Sequence, residues 1–135
     1  MKKTNLIPPY SPTGKTNFPT RKKSGVYLIY QNHKLVYVGY SQTDVYKTMY
    51  RHFQFWNDKS QVRVIYPNWE QIKVRIVYCS PLQADRLEKA LILKYKPRDN
   101  PNKYYQYLMD YQEQKTLESF EDSPIIYTNS KNAPF

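Results

Sequence analysis

The sequence contains a single cysteine, Cys79, and no apolar run near the roughly 18 residues that span a membrane. One thiol excludes an internal disulfide and a zinc site built from cysteines, so Cys79 reads as a small buried strand residue. Residues 1–9 carry charge but not the apolar segment of a secretory leader, and the cytoplasm is the expected compartment. Acidic residues are scarce as well. Residues 1–23 hold Lys2, Lys3, Lys15, Arg21, Lys22 and Lys23, four prolines and no acid. That composition is expected to form an extended basic arm rather than a core. Such an arm either tracks phosphates or is a disordered leader, and the residues do not choose between the two.

Positive charge is in surplus: 21 lysines and arginines stand against 11 aspartates and glutamates, a net charge of +10. This balance suits a polyanionic partner, because each phosphate neutralised by Lys or Arg releases counterions. A membrane surface fits less well, since no segment forms a basic amphipathic helix with a broad apolar face. A chain of 135 residues supports one core. The expected organisation is an arm over residues 1–23, a domain over residues 24–117 and an irregular tail over residues 118–135.

The domain is organised around residues 25–55. GVYLIY at residues 25–30 and KLVYVGY at residues 34–40 are β-rich runs on either side of a short polar break, and a helical pattern follows. The runs carry Tyr27 and Tyr37. Across a hairpin the loop decides which faces they occupy, because every added residue flips the partner strand. A two-residue loop at Asn32 and His33 pairs Tyr27 with Val38 and sends the phenols to opposite faces. A three-residue loop over residues 31–33 pairs Tyr27 directly with Tyr37, and the polar residues around Asn32 favour it.

Thr43 or Asp44 caps a helix expected to reach Trp56, with Val45, Met49, Phe53 and Trp56 as its apolar stripe. Thr48, Arg51, His52 and Phe55 form an adjoining stripe. Residues 62–66 and 72–79 read as two more strands, the second placing Lys73 and Arg75 on one face for solvent or phosphate. Ser80, Pro81 and Gln83 make a strong helix start, with Ser80 as N-cap and Gln83 closing a capping box. The helix runs to about Tyr95. At 100° per residue its apolar face, Ala84, Leu87, Leu91, Ile92 and Tyr95, contains Glu88. A buried carboxylate is costly unless a cation or metal ion offsets it. A further helical segment covers residues 104–117.

Gly25-Val26-Tyr27 followed by Tyr37-Val38-Gly39 resembles the signature of the GIY-YIG nuclease family, and Glu88, Leu91, Ile92, Pro97 and Asn100 stand at the spacings of that family's glutamate helix. The resemblance spans residues 24 to about 100. It implies an α+β fold, a small central antiparallel sheet flanked by helices, and a DNA endonuclease that uses Mg²⁺ or Mn²⁺. In its terms Tyr27 activates or orients the attacking water, Tyr37 supports it, His52 shares in proton transfer, Glu88 holds the metal, and Gly25, Gly39 and Asn100 shape the site.

Two positions depart from the family pattern. Thr48 stands where the catalytic arginine is usual, and Tyr40 follows the second signature glycine where some members have lysine. Arg51, one helical turn on, is the expected replacement, with Lys47 as a weaker candidate. The expected DNA contacts are Lys47, Arg51, Lys73, Arg75, Arg21, Lys22 and Lys23. The partner is duplex DNA, met by a monomer or homodimer, with no membrane involved. The alternative is a DNA-binding module that keeps the fold without catalysis.

Overall fold

The computed structural model describes residues 1–54, 64–67 and 69–122. β1 (Lys2–Lys3), β2 (Gly25–Gln31), β3 (Lys34–Ser41) and β4 (Ile72–Tyr78) form one sheet in the order β1-β4-β2-β3, every pair antiparallel. Alternation decides what β4 buries: Ile72, Val74 and Ile76 point into the core while Lys73 between them is exposed. Tyr27 and Ile29 of β2 join that core with Val45, Met49 and Tyr50 of α1 (Val45–Tyr50).

The hairpin loop has two residues rather than three. Asn32 and His33 both adopt positive φ, 51° and 70°, the backbone of the tight turn that matches strand twist. Taken alone, this loop would put the two tyrosines on opposite faces. A bulge reverses the outcome: Ile29 pairs with Tyr37 and Tyr30 with Leu35, so Val36 is an extra residue on β3. Tyr27 is therefore opposite Gly39, and Tyr27 and Tyr37 share a face.

Other elements also differ from expectation. α1 stops at Tyr50 and tightens into a 3₁₀ turn at Arg51–Phe53; Phe55 and Trp56 lie outside the described residues. Its start is as expected, with the Asp44 carboxylate accepting from the Lys47 amide at 3.0 Å. Residues 64–66 form no strand. They run beside the 3₁₀ turn, where the Tyr66 amide donates to the His52 carbonyl at 2.8 Å; Val62 lies outside the described residues. The basic segment over residues 1–23 is not loose. β1 pairs with β4, Ile7 bridges to Val74, and Pro9 and Phe18 are buried. Four prolines and six cations hid the few apolar side chains that do the packing.

α2 (Pro81–Tyr95) begins as the sequence indicates, with Pro81 at its start and a complete Ser80–Gln83 capping box. It lies against β3 and β2 and buries Ala84, Glu88 and Ile92. Tyr95, expected on that face, is exposed. Lys96 then takes a left-handed conformation and ends the helix. Packing divides the chain into two units, Met1–Asn100 and Pro101–Phe135. The second contains α3 (Pro101–Asp122), longer than expected at both ends; it absorbs residues 118–122 of the presumed tail. No helix among the described residues is long and apolar enough to cross a membrane.

Candidate active site

The Tyr27 ring lies over the backbone of Gly39. A Cβ at position 39 would stand 2.9 Å from Tyr27 Cε1 and closer still to its hydroxyl, so the second signature glycine is there to admit the phenol. Gly25 answers a different crowding, since a Cβ there would lie 2.5 Å from the Val77 carbonyl oxygen.

Three aromatic groups meet over this point. Tyr37 stacks on Tyr27 with ring centroids 6.0 Å apart, and the His52 ring lies 4.5 Å from Tyr37 and 5.5 Å from Tyr27. His52 comes from the 3₁₀ turn and is almost fully enclosed, with a relative exposure of 3%. Its Nδ1 is 2.7 Å from the Val64 carbonyl oxygen and its Nε2 is 2.9 Å from the Tyr27 hydroxyl. A carbonyl only accepts, so in the neutral ring Nδ1 carries the hydrogen. Nε2 then accepts from the Tyr27 hydroxyl.

Burial pushes the Tyr27 phenol well above the usual tyrosine range, and Tyr37, Glu88 and Tyr66 add to the rise. Tyr27 is thus a neutral phenol in the free protein, with its hydroxyl in hydrogen-bond contact with the His52 ring. Glu88 enters from α2 with no exposed surface, near enough for its charge to be felt at Tyr27.

Asn100 works at the sheet edge. Its Oδ1 accepts from the Val38 amide at 2.8 Å and its Nδ2 donates to the Val38 carbonyl at 3.1 Å, as a neighbouring strand would. With the Asp99 amide on the Val36 carbonyl at 2.9 Å, the 97–100 loop holds β3 across the bulge that places Tyr37.

The expected cations are not in this cluster. Arg51 is exposed; with Lys47 it lines a cleft of about 360 Å³ beside Tyr10, Thr16 and Tyr46. Among the described residues, no side-chain hydrogen bond joins Arg51 to the phenols or the imidazole. Thr48 turns its hydroxyl back to the Asp44 carbonyl at 3.1 Å. Lys73 is exposed and Arg75 half-buried on β4, Lys22 is exposed, and Arg21 and Lys23 line an open pocket at the far end of β4.

Sequence reasoning missed Tyr66, Asp99 and Arg98. The Tyr66 ring centroid is 6.1 Å from that of His52, and its hydroxyl donates to Asp99 Oδ2 at 2.7 Å. Arg98 grips the same carboxylate through Nε and Nη2, both at 2.9 Å. Burial alone would raise Asp99, but hydrogen bonds from Arg98 and Tyr66 and the Arg98 charge outweigh it and hold the carboxyl below the usual range. The adjacent Arg-Asp pair was visible in the sequence; its tie to a tyrosine 33 residues away was not.

Residues 23–105, more than half of the chain, match the GIY-YIG catalytic domain. The chain belongs to the GIY-YIG family. The α+β architecture is that of the GIY-YIG fold, and the family is one of nucleases. Comparison with curated proteins and with solved structures returned no match.

GIY-YIG nucleases generally use a divalent metal ion. Among the described residues no three His, Cys, Asp or Glu side chains gather as a metal cage; the carboxylate whose charge reaches the Tyr27 phenol is Glu88, which with the phenols makes an all-oxygen set. That set fits a hard ion such as Mg²⁺, which binds through one or two carboxylates and completes its shell with water and substrate phosphate. It does not fit a zinc site.

Proposed function

We propose that this GIY-YIG chain is a DNA endonuclease that hydrolyses a phosphodiester in duplex DNA with Mg²⁺ or Mn²⁺. The observation that carries the reading is the Tyr27–His52 hydrogen bond beside the buried Glu88. Water is a poor nucleophile unless a base accepts its proton as it attacks phosphorus. Tyr27 has no charge to offer, but it can pass a proton: the water proton moves to the Tyr27 oxygen as the phenol proton moves to His52 Nε2. The imidazole becomes an imidazolium and the phenol is regenerated. Tyr37, stacked on Tyr27 and packed at a tilt against His52, holds both rings in place. Glu88 would hold the metal ion, which supplies charge stabilisation at the phosphate and the leaving 3′ oxygen. Arg51 and Lys47, in the cleft next to the 3₁₀ turn, are the proposed cations for the phosphate in place of the arginine absent at Thr48.

The test is cleavage of supercoiled plasmid in Mg²⁺ or Mn²⁺, wild type beside Glu88→Gln. Gln keeps the size of the side chain and removes its charge. Cleavage should vanish in the variant while duplex binding remains. Cleavage by Glu88→Gln at the wild-type rate removes the metal role. A wild-type protein that binds duplex but cuts in neither metal supports the binding-module reading instead.

A further inference from the structure

Lys2 of β1 lies directly across from Tyr78 of β4. The segment that leads back to β2 brings Arg21 and Lys23 to the same end of the sheet. Together with Ser24 and Cys79 they line an open pocket of about 760 Å³, and all three cations are exposed. No acidic side chain among the described residues lines it. The second observation is the Tyr78 hydroxyl, which is buried and has no hydrogen-bond partner among the described residues. The Arg21 guanidinium stands over the Tyr78 ring, 5.8 Å from its centroid. A native structure rarely leaves a buried O–H without an acceptor. Three cations and a donor in want of an acceptor are complementary to an anionic oxygen.

Resting on the DNA reading above, we propose that this pocket is a seat for one backbone phosphate of the substrate, distinct from the phosphate that is cut. Lys2, Arg21 and Lys23 neutralise it, and the Tyr78 hydroxyl donates to a non-bridging oxygen. Ser24 of the pocket precedes Tyr27 by three residues of extended chain, roughly 10 Å at about 3.3 Å per residue. The seat would fix the register of the duplex, so that the scissile bond falls at Tyr27.

Deleting residues 1–23 is not a clean test, because Pro9 and Phe18 belong to the folded core. Lys2→Ala/Arg21→Gln and, separately, Tyr78→Phe are compared with wild type, each checked by thermal unfolding. Duplex affinity is measured against salt, then with duplexes carrying one neutral methylphosphonate linkage at successive positions. The double variant should lose about 0.9 from the log-log salt slope, the contribution of one phosphate. Wild type should weaken when the neutral linkage falls at one particular position away from the cut, and the double variant should be indifferent to it there; Tyr78→Phe keeps the three cations, so it should bind less tightly with that position still sensitive. Should the double variant fail to fold, Lys23→Gln takes its place in both measurements. An unchanged slope in a folded charge-removing variant, or a wild-type linkage scan with no sensitive position away from the cut, overturns the seat and leaves the DNA reading standing. Wild-type protein that binds no duplex overturns both.

Discussion

Replacing Gly39 with alanine tests the geometry of the cluster without touching a reacting group. The new Cβ would lie 2.9 Å from Tyr27 Cε1, whereas carbon atoms settle at about 3.5 Å or more. The ring must therefore retreat by at least about 0.6 Å, and the hydroxyl by more. It has nowhere to go: Tyr27 is 2% exposed, with Tyr37 stacked on it and His52 bonded to its oxygen. Overpacking of this kind costs about 1–3 kcal/mol, and a domain of this size loses roughly 4–8 °C of melting temperature per kcal/mol. Cleavage should fall further than stability, since an error near 1 Å at a reacting group costs about 10²-fold. Thermal unfolding of four proteins reads the cause: wild type, Gly39→Ala, Tyr27→Ala and the double variant. With the phenol gone, alanine at 39 should turn mildly stabilising, because glycine inside a strand costs about 0.5–1 kcal/mol relative to alanine. Equal destabilisation in both backgrounds would refute the argument, for the added methyl would then be clashing with something other than Tyr27.

Asn100→Ala should destabilise the protein by about 1–3 kcal/mol for each Val38 group it leaves without a partner, and Asn100→Asp should not restore it, since a carboxylate cannot donate to the Val38 carbonyl; chemical denaturation measures both. Arg51→Ala should lower turnover by about 10²- to 10³-fold, like loss of other oxyanion donors, while duplex affinity changes little. Adding Thr48→Arg to that variant should recover cleavage, whereas wild-type turnover in Arg51→Ala would mark Arg51 as a surface residue of its cleft. Alkali should unfold the protein: Tyr27, Tyr50 and Tyr66 are all raised by burial, so the unfolded chain ionises first. Their contribution is complete below about pH 10 and declines as pH rises above it. Tyr66→Phe should flatten that decline, and a stability that is level across this range would count against the buried phenols.

The sequence was most legible where the pattern was local. Ser80, Pro81 and Gln83 carry the start of α2 in four consecutive residues, and helical projection alone placed Glu88 among apolar neighbours, where it is found fully enclosed. The shared face of Tyr27 and Tyr37 was reached through the wrong device. One extra residue was needed between them, and it sits in the strand as Val36 rather than in the loop; periodicity counts residues without saying which one is unpaired. Residues 1–23 were misjudged because composition averages over a segment, while Pro9 and Phe18 act singly. The Asn100 clamp and the Tyr66–Asp99–Arg98 chain depend on contacts across 62 and 33 residues, a separation at which no local pattern survives. Arg51 was chosen for its nearness to Thr48 on a continuous helix, and the 3₁₀ turn at Arg51–Phe53 breaks that geometry.

Both long flanks of the sheet are occupied. On β3, Val36 and Val38 present their outward backbone groups to Asp99 and Asn100. On β4, Val74 exchanges hydrogen bonds with Ile7, and Ile76 receives the Thr4 amide. What remains at the outer margin is β1, two lysines long, too short and too charged to template another strand. Two copies that met on one duplex to cut both of its strands would have to join through side chains, not by sheet continuation. Each would then keep its own hairpin, bulge and cluster undisturbed, and the spacing of the two cuts would be set by how the copies sit on the DNA rather than by a fused sheet.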